Sequence, residues 1–313
     1  MTRMKVSVIV PIYNVEKYIS ACARSLFEQT FKDVEYIFVN DCSTDRSLEI
    51  LKDVAAHYAL PHCQFISHEH NRGSGAARLT GMEHASGDFV MFVDSDDLVP
   101  ANAVETLVRR QAETGADMVD GATDSFAEDA FFDRQLPFKG PHFVERLIIG
   151  NTVPHHVWGR LIRRSVFTDH DIHFTEGVNQ AEDYSVIPRV AYYASRAWTD
   201  TVVYHYRVDR SGSFTDGISP KHLRSFLKAN QIITSFFQAK EKKFLYPLQV
   251  GLINTGYLAV KAGASLEQVR QALAFRPHGC LFRLADHLLT HQPTVHAARL
   301  EYLVLKRLYL QTH

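Results

Sequence analysis

Residues 90 to 100 read VMFVDSDDLVP, an apolar run that carries the chain straight into Asp94, Asp96 and Asp97. Three like charges within four positions repel one another, and the usual remedy is a cation. Mg2+ or Mn2+ is the expected one, because such hard ions take a few protein oxygens and complete their shell with phosphate oxygens. The apolar run reads as a strand, so the carboxylates stand at its carboxyl end.

The same arrangement recurs upstream. MKVSVIVPIY reads as a buried strand, and VEKYISACARSLFEQ follows as a helix with Ile19, Cys22 and Leu26 at helical spacing. VEYIFVND is the next strand, and STDRSLEILKDVAAHY the next helix, with Ser43 or Thr44 as N-cap and Asp45 in its first turn. QFISHE, the loop HNRGSG, the helix AARLTGMEHA and the strand DFVMFVD complete the series. Such alternation calls for a parallel sheet covered on both faces. Ligands of these sheets sit at the carboxyl ends of the strands. Pro11 to Asn14, Asn40 and Asp41, Asn71 to Gly75, and Asp94 to Asp97 occupy four such ends. Singly, each has an ordinary reading: Pro11 as a strand stop, Asn71-Arg72-Gly73 as a turn, Asp45 as a helix N-terminal charge.

At 313 residues and 46% hydrophobic, the chain suffices for one large domain plus an annex. Its four cysteines form no CxxC pair and no zinc spacing, and read as thiols of a reducing compartment. The amino-terminal MTRMKVSVIVPIYN reads as a strand and not a signal peptide, and no stretch approaches the roughly 20 apolar residues of a spanning helix. A soluble or peripheral, cytoplasmic protein is expected. The net charge of −1 is unevenly spread: residues 219 to 313 hold 13 Lys and Arg against 4 Asp and Glu, a balance of +9, leaving −10 for residues 1 to 218.

SVIVPIYNVEKYI, VNDCSTDRSLEIL, HNRGSGAARLTG and FVDSDDLVP, in this order and spacing, resemble the family 2 glycosyltransferases with their nucleotide-sugar-binding GT-A fold. That fold is an α/β architecture with a central, mostly parallel sheet flanked by helices. The resemblance covers the first 120 residues closely and continues more loosely to residue 218. It implies a GT-A domain over 1–218, with a nucleotide-binding half (1–120) and an acceptor and catalytic half (121–218). A helical, basic region over 219–313 is expected to follow. There, ASLEQVRQALAF starts with Ser265 as N-cap and Gln268 in the capping-box position, and HAARLEYLVLKRLYL mixes apolar and basic residues.

Roles follow from the resemblance position by position. Pro11, Tyr13 and Asn14 match the segment lining the nucleotide pocket, and Asp41 matches the carboxylate that reads the uracil N3–H, which favours UDP. Asn71 and Arg78 belong to the matched loop-and-helix motif near base and phosphates. Asp94-Ser95-Asp96 matches the DxD motif, whose first Asp lies near the ribose and whose last binds Mn2+ or Mg2+. Glu182-Asp183 resembles the pair that supplies the base, with Asp183 as base and Glu182 as its neighbour; two acids on a solvated helix start is the ordinary alternative. Trp158, in VWGRLIRRSVF, is expected against the acceptor or donor sugar. Arg210, Ser211 and Ser213, in VYHYRVDRSGSFT, are expected to close over the diphosphate, whereas His205 is read as structural. The chain departs from the pattern at Asn40 (usually Asp), Cys42 (usually Gly), Leu79 (usually Asn) and Val186 (usually aromatic). A cysteine at a positive-φ position would be strained.

The implied reaction is an inverting, in-line transfer of one sugar from a nucleotide-sugar to a hydroxyl, with the ion as Lewis acid at the departing diphosphate. The Gln-x-x-Arg-Trp segment of processive synthases is missing, so one sugar per encounter is expected. A saccharide or lipid-linked saccharide of bacterial cell-surface polysaccharide synthesis is the implied acceptor. The basic tail suits anionic lipid at the inner membrane face, with a solvated face or homodimer contact as the alternative. Nucleic acid is not an expected partner. Two other classes compete: a haloacid-dehalogenase-like phosphohydrolase with Asp94 as nucleophile and Asp96 as acid/base, usually on the first strand of its sheet, and a non-catalytic nucleotide-sugar-binding module.

Overall fold

The structure is a computed structural model that describes residues 4–58, 62–128, 130–150, 152–209, 220–261 and 295–312. The chain divides into two compact units: a sheet unit (Met1–Lys139, His156–Gly177, Tyr193–Ser211) and a helical unit (Gly140–His155, Val178–Tyr192, Gly212–His313). The expected division between 218 and 219 differs from this grouping, because two earlier stretches, 140–155 and 178–192, belong with the carboxyl-terminal residues.

The sheet unit holds eight strands in the order β3-β2-β1-β4-β7-β5-β6, with β8 on the other side of β5. They are β1 Val6–Ile12, β2 Val34–Asn40, β3 Cys63–Ser67, β4 Phe89–Phe92, β5 Met118–Ala127, β6 Ala130–Gln135, β7 Arg160–Arg163 and β8 Arg196–Arg207. β1 to β4 pair in parallel, β7 is antiparallel to both β4 and β5, and β8 is parallel to β5. β2 and β4 are buried at every position, as strands covered on both faces must be.

Helices α1 (Ile19–Phe27), α2 (Ser47–Tyr58), α3 (Ser74–His84), α4 (Ala103–Thr114) and the short α6 (Arg164–Thr168) belong to this unit. Small residues let α3 lie close to the sheet: a Cβ on Gly81 would stand 2.3 Å from Ile9 Cγ2. α2 begins at Ser47, later than an N-cap at Ser43 or Thr44 would place it. Asp45 supplies the cap, its Oδ1 accepting from the Ser47 N–H at 3.0 Å, while Ser43 and Thr44 are engaged with Asn14.

The helical unit comprises α5 (Phe143–Ile149), most of α7 (Glu182–Tyr193), α8 (Pro220–Phe237), α9 (Leu245–Lys261) and α10 (Val295–Thr312). One apolar cluster joins Ile148, Ile233, Phe237, Phe244 and Leu248. Another joins Ile149, Val250, Ile253, Tyr302, Leu305 and Tyr309, and is pinned by the Tyr302 hydroxyl donating to Gly150 O at 2.8 Å. HAARLEYLVLKRLYL lies within α10, whereas the expected helix ASLEQVRQALAF lies outside the described residues. No described helix is long and apolar enough to cross a membrane.

Candidate functional site

At the end of β4 the structure gives the three crowded carboxylates three different environments. Asp97 is 1% exposed; its Oδ1 accepts from the Arg207 N–H and its Oδ2 from the Tyr204 hydroxyl, each at 2.7 Å. Burial, followed by the charges of Asp96 and Asp94, pushes its carboxyl well above the usual carboxylate range. Asp94 Oδ1 accepts from Arg78 Nη2 at 2.7 Å, and Arg78 is itself buried, with its guanidinium 5.9 Å from the Phe174 ring centre. Asp96, like Asp94, is only partly buried, so two of the three carboxylates stand at the rim. Repulsion is thus relieved by protonation pressure on one acid and by an arginine on another.

Tyr204 and Arg207 hold this loop from β8. The Tyr204 hydroxyl also accepts from the Asp94 N–H at 3.0 Å, and Arg207 Nε donates to the Asp96 carbonyl at 2.8 Å. Sequence reasoning missed both residues. Their signal was available in VYHYRVDR, where Tyr204 and Tyr206 alternate along a strand ending in an arginine.

The loops after β1 and β2 are tied to each other. Tyr13 and Asn14 are exposed, and Asn14 has φ 50°. Asn14 Oδ1 accepts from the Thr44 N–H at 2.8 Å, and the Asn14 N–H donates to Ser43 Oγ at 3.2 Å. Asn40 Oδ1 closes the Ser43 turn at 3.1 Å. Cys42 stands at φ 59°, in the left-handed region where a cysteine is strained. Pro11 is partly buried within β1, Ser95 is buried and Asn71 is exposed.

Asp41 is 2% exposed and busy within the protein. Its Oδ1 accepts from the Arg72 N–H at 2.8 Å and meets His68 Nδ1 at 2.7 Å, while Oδ2 accepts from the Gly73 N–H at 2.6 Å. A carboxylate offers about four acceptor positions, so one remains for a ligand. Asp41 therefore shapes the loop that starts α3.

Trp158 stacks on His156 (centroids 3.5 Å apart), Tyr204 (4.4 Å) and Tyr206 (5.4 Å), an aromatic pile beside the carboxylate loop. His205 Nδ1 is bonded to the Asp124 carboxylate and its backbone bridges Leu98, consistent with a structural role. Arg210, Ser211 and Ser213 lie outside the described residues.

In the helical unit, Glu182 and Asp183 form the first turn of α7. The preceding Ala181 has φ 64°, a conformation that costs an L-residue about 1–2 kcal/mol. Ser225 of α8 fixes that approach: its Oγ accepts from the Gln180 N–H at 2.8 Å and donates to Gln180 O at 2.7 Å. Both acids line a cavity of about 390 Å3 within this unit.

Among the described residues no group of three or more His, Cys, Asp or Glu side chains forms a metal cluster. The donor set still suits a hard divalent ion that takes one or two carboxylates and completes its shell with phosphate oxygens. Asp96, with Asp94 beside it, would be the protein's contribution.

Residues 7–170, just over half of the chain, match the family described as Glycosyl transferase family 2. Glycosyltransferase GlyA of Streptococcus pneumoniae is 44% identical over 124 residues, 40% of this chain and 17% of that protein. Glycosyltransferase GlyG of the same organism is 32% identical over 226 residues, 66% of this chain and 72% of that one. The chain thus spans under a fifth of one curated relative and nearly three quarters of the other. The crystal structure of Staphylococcus aureus TarS 1–349 in complex with UDP-GlcNAc superposes with a TM-score of 0.62 at 22% identity, over 99% of this chain and 93% of that one. A phosphohydrolase would carry its aspartates on a first strand, and here they follow β4, the fourth in chain order. By family match, relatives and fold together, the chain belongs to glycosyltransferase family 2 and has the GT-A architecture.

Proposed function

We propose that this chain moves a single sugar from a nucleotide-sugar, a UDP-sugar by preference, to a hydroxyl of a saccharide or lipid-linked saccharide, with inversion at the anomeric carbon. The observation that carries the reading is the β4 loop, where Arg78, Asp94 and partly exposed Asp96 stand together at the carboxyl end of a parallel sheet. UDP is favoured by the Asp41 match and by the UDP-GlcNAc bound to the TarS relative. Pro11, Tyr13, Asn14, Asn71 and Ser95 are assigned to the nucleotide-sugar, and Trp158, Arg210, Ser211 and Ser213 to the sugar and diphosphate.

Asp183 takes the proton from the attacking hydroxyl, and Glu182 supports it. Mn2+ or Mg2+ held at Asp96 supplies Lewis acidity to the diphosphate when bound. Arg78 orients Asp94 through the charge-assisted hydrogen bond from its Nη2. Cell-surface polysaccharide synthesis at the inner membrane face is the setting we assign, with the basic carboxyl-terminal residues as the contact to anionic lipid.

Calorimetric titration with UDP, with and without Mn2+, tests this reading. Binding should need the ion and vanish in Asp96→Ala. Ion-independent binding, or preference for another nucleotide, would refute the assignment. Nucleotide binding without sugar transfer to any acceptor would favour the non-catalytic module.

A further inference from the structure

Just past the end of β2, Asp41 has three of its roughly four acceptor positions filled from within the protein. Two of the donors are backbone N–H groups of the loop that starts α3, those of Arg72 and Gly73. The third is a side chain, His68, which follows β3 and is placed there by its own N–H donating to Asn40 O at 2.9 Å. Its imidazole reaches further. Nε2 lies 3.0 Å from the Thr80 hydroxyl, so a line of hydrogen bonds runs from α3 through His68 to Asp41.

The line has a direction. A neutral imidazole carries one N–H and one bare nitrogen, and a carboxylate only accepts. Nδ1 stands 2.7 Å from Asp41 Oδ1 and therefore carries the proton, which leaves Nε2 to accept from the Thr80 hydroxyl. The His68 and Asp41 side chains are 6% and 3% exposed and Thr80 is 8% exposed, so water has little access to replace a lost donor.

What these bonds fix is the plane of the carboxylate. Oδ1 takes the Arg72 and His68 donors and Oδ2 takes Gly73, which leaves one acceptor position, on Oδ2. A uracil edge offers an N–H at N3, between two carbonyls. A cytosine edge has a bare N3 there, and its nearest donor is the 4-amino group, one ring position further along. A carboxylate free to turn could reach that amino group, whereas one pinned at three positions cannot follow it.

We propose that His68 is a positioning residue for nucleobase selection: oriented by Thr80, it pins Asp41 so that the site takes uracil and rejects cytosine. The inference rests on Asp41 as the group that reads the base, and it adds the residues that make the reading selective.

UDP and CDP are titrated calorimetrically into the full chain with Mn2+ present. The wild-type chain should prefer UDP by about a hundredfold. His68→Leu should lose about tenfold of that preference, and Thr80→Val, which keeps the ring but not its fixed tautomer, about threefold. His68→Asn puts an amide N–H where Nδ1–H stood and should return the preference to within about threefold of the wild type. A histidine that only supported the fold would, when replaced, weaken both nucleotides alike and leave their ratio unmoved. That result, or an Asn variant no more selective than the Leu variant, would overturn the proposal. Should His68→Leu not fold, the Thr80→Val ratio decides. Asp41→Asn separates this inference from the reading beneath it. No UDP binding or no preference for UDP in the wild-type chain, or a ratio unchanged in Asp41→Asn, would remove Asp41 as the reader and the inference with it. A ratio that moves in Asp41→Asn but not in His68→Leu would overturn the inference alone.

Discussion

At the end of β4, Asp94 and Asp97 are held by Arg78, Tyr204 and Arg207, whereas in the helical unit's cavity the Asn254 amide has no protein partner among the described residues. The first region is preorganised: its charges are already placed, and a ligand meets them at little reorganisation cost. The second keeps hydrogen-bonding capacity that the described residues do not use.

The strongest way to break this contrast is Asp183→Asn. General-base catalysis is worth about 10²–10⁴-fold. The variant's kcat should fall by that factor while UDP binding stays as in the wild type. A fall in both would mean that the two regions do not divide the work as described.

Core truncation comes next. Phe237 is fully buried and packs edge-on or tilted against Tyr192, Phe236 and Phe244. Phe237→Ala should cost about 3–5 kcal/mol, read by denaturant unfolding. UDP binding retained by this variant under mild denaturant would sharpen the separation of the units.

The sheet unit has its own pH signature. Glu35 is 3% exposed; burial would raise its pKa, but hydrogen bonds from Lys5, Ser7 and Ser86 outweigh that and lower it from 4.5 to about 2. A depressed carboxylate stabilises above its unfolded value, so this contribution is complete above pH 4.5 and is lost as pH falls towards 2. Acid unfolding should show a loss of up to about 3 kcal/mol across that window, and Glu35→Gln should flatten it.

The smallest effect is at Cys42, with φ 59°. Glycine removes a left-handed penalty of about 1–2 kcal/mol and costs about 0.5–1 kcal/mol in unfolded-chain entropy. Cys42→Gly should stabilise by about 0.5 kcal/mol, and a thermal melt unchanged or lowered would refute the strain.

How much of this was legible beforehand also differs between the two regions. Parallel strands read as unbroken apolar runs, so β1 to β4 and their polar ends could be placed from VSVIVPI, VEYIFVN and FVMF. The fates of the three aspartates could not. Asp97 is decided by Tyr204, 107 positions away, and Arg207, 110 away, and nothing local marks it as the buried member. In the helical unit Glu182 and Asp183 were visible only through resemblance. Asn254 and Thr255 stood as polar letters within the apolar stretch VGLINTGYLAV, a cost signal that needed the cavity to be interpreted. The grouping of 140–155 and 178–192 with the carboxyl-terminal helices was likewise invisible, because contacts between distant stretches leave no periodicity behind.

The pairing of β5 with β8 bears on how the protein is made. Asp117 and Ser195, at the head of that ladder, bond to each other across 78 positions. A ribosome emits β1 to β4 first, and these pair among themselves soon after synthesis. β5 then waits with one edge open until residues 196 to 207 emerge. Nascent chains stalled in that interval carry an unpaired strand of ten residues, a template for association with other chains. Slow translation between the codons for Ala127 and Arg196 should therefore raise aggregation, whereas the same pause after Arg207 should be harmless.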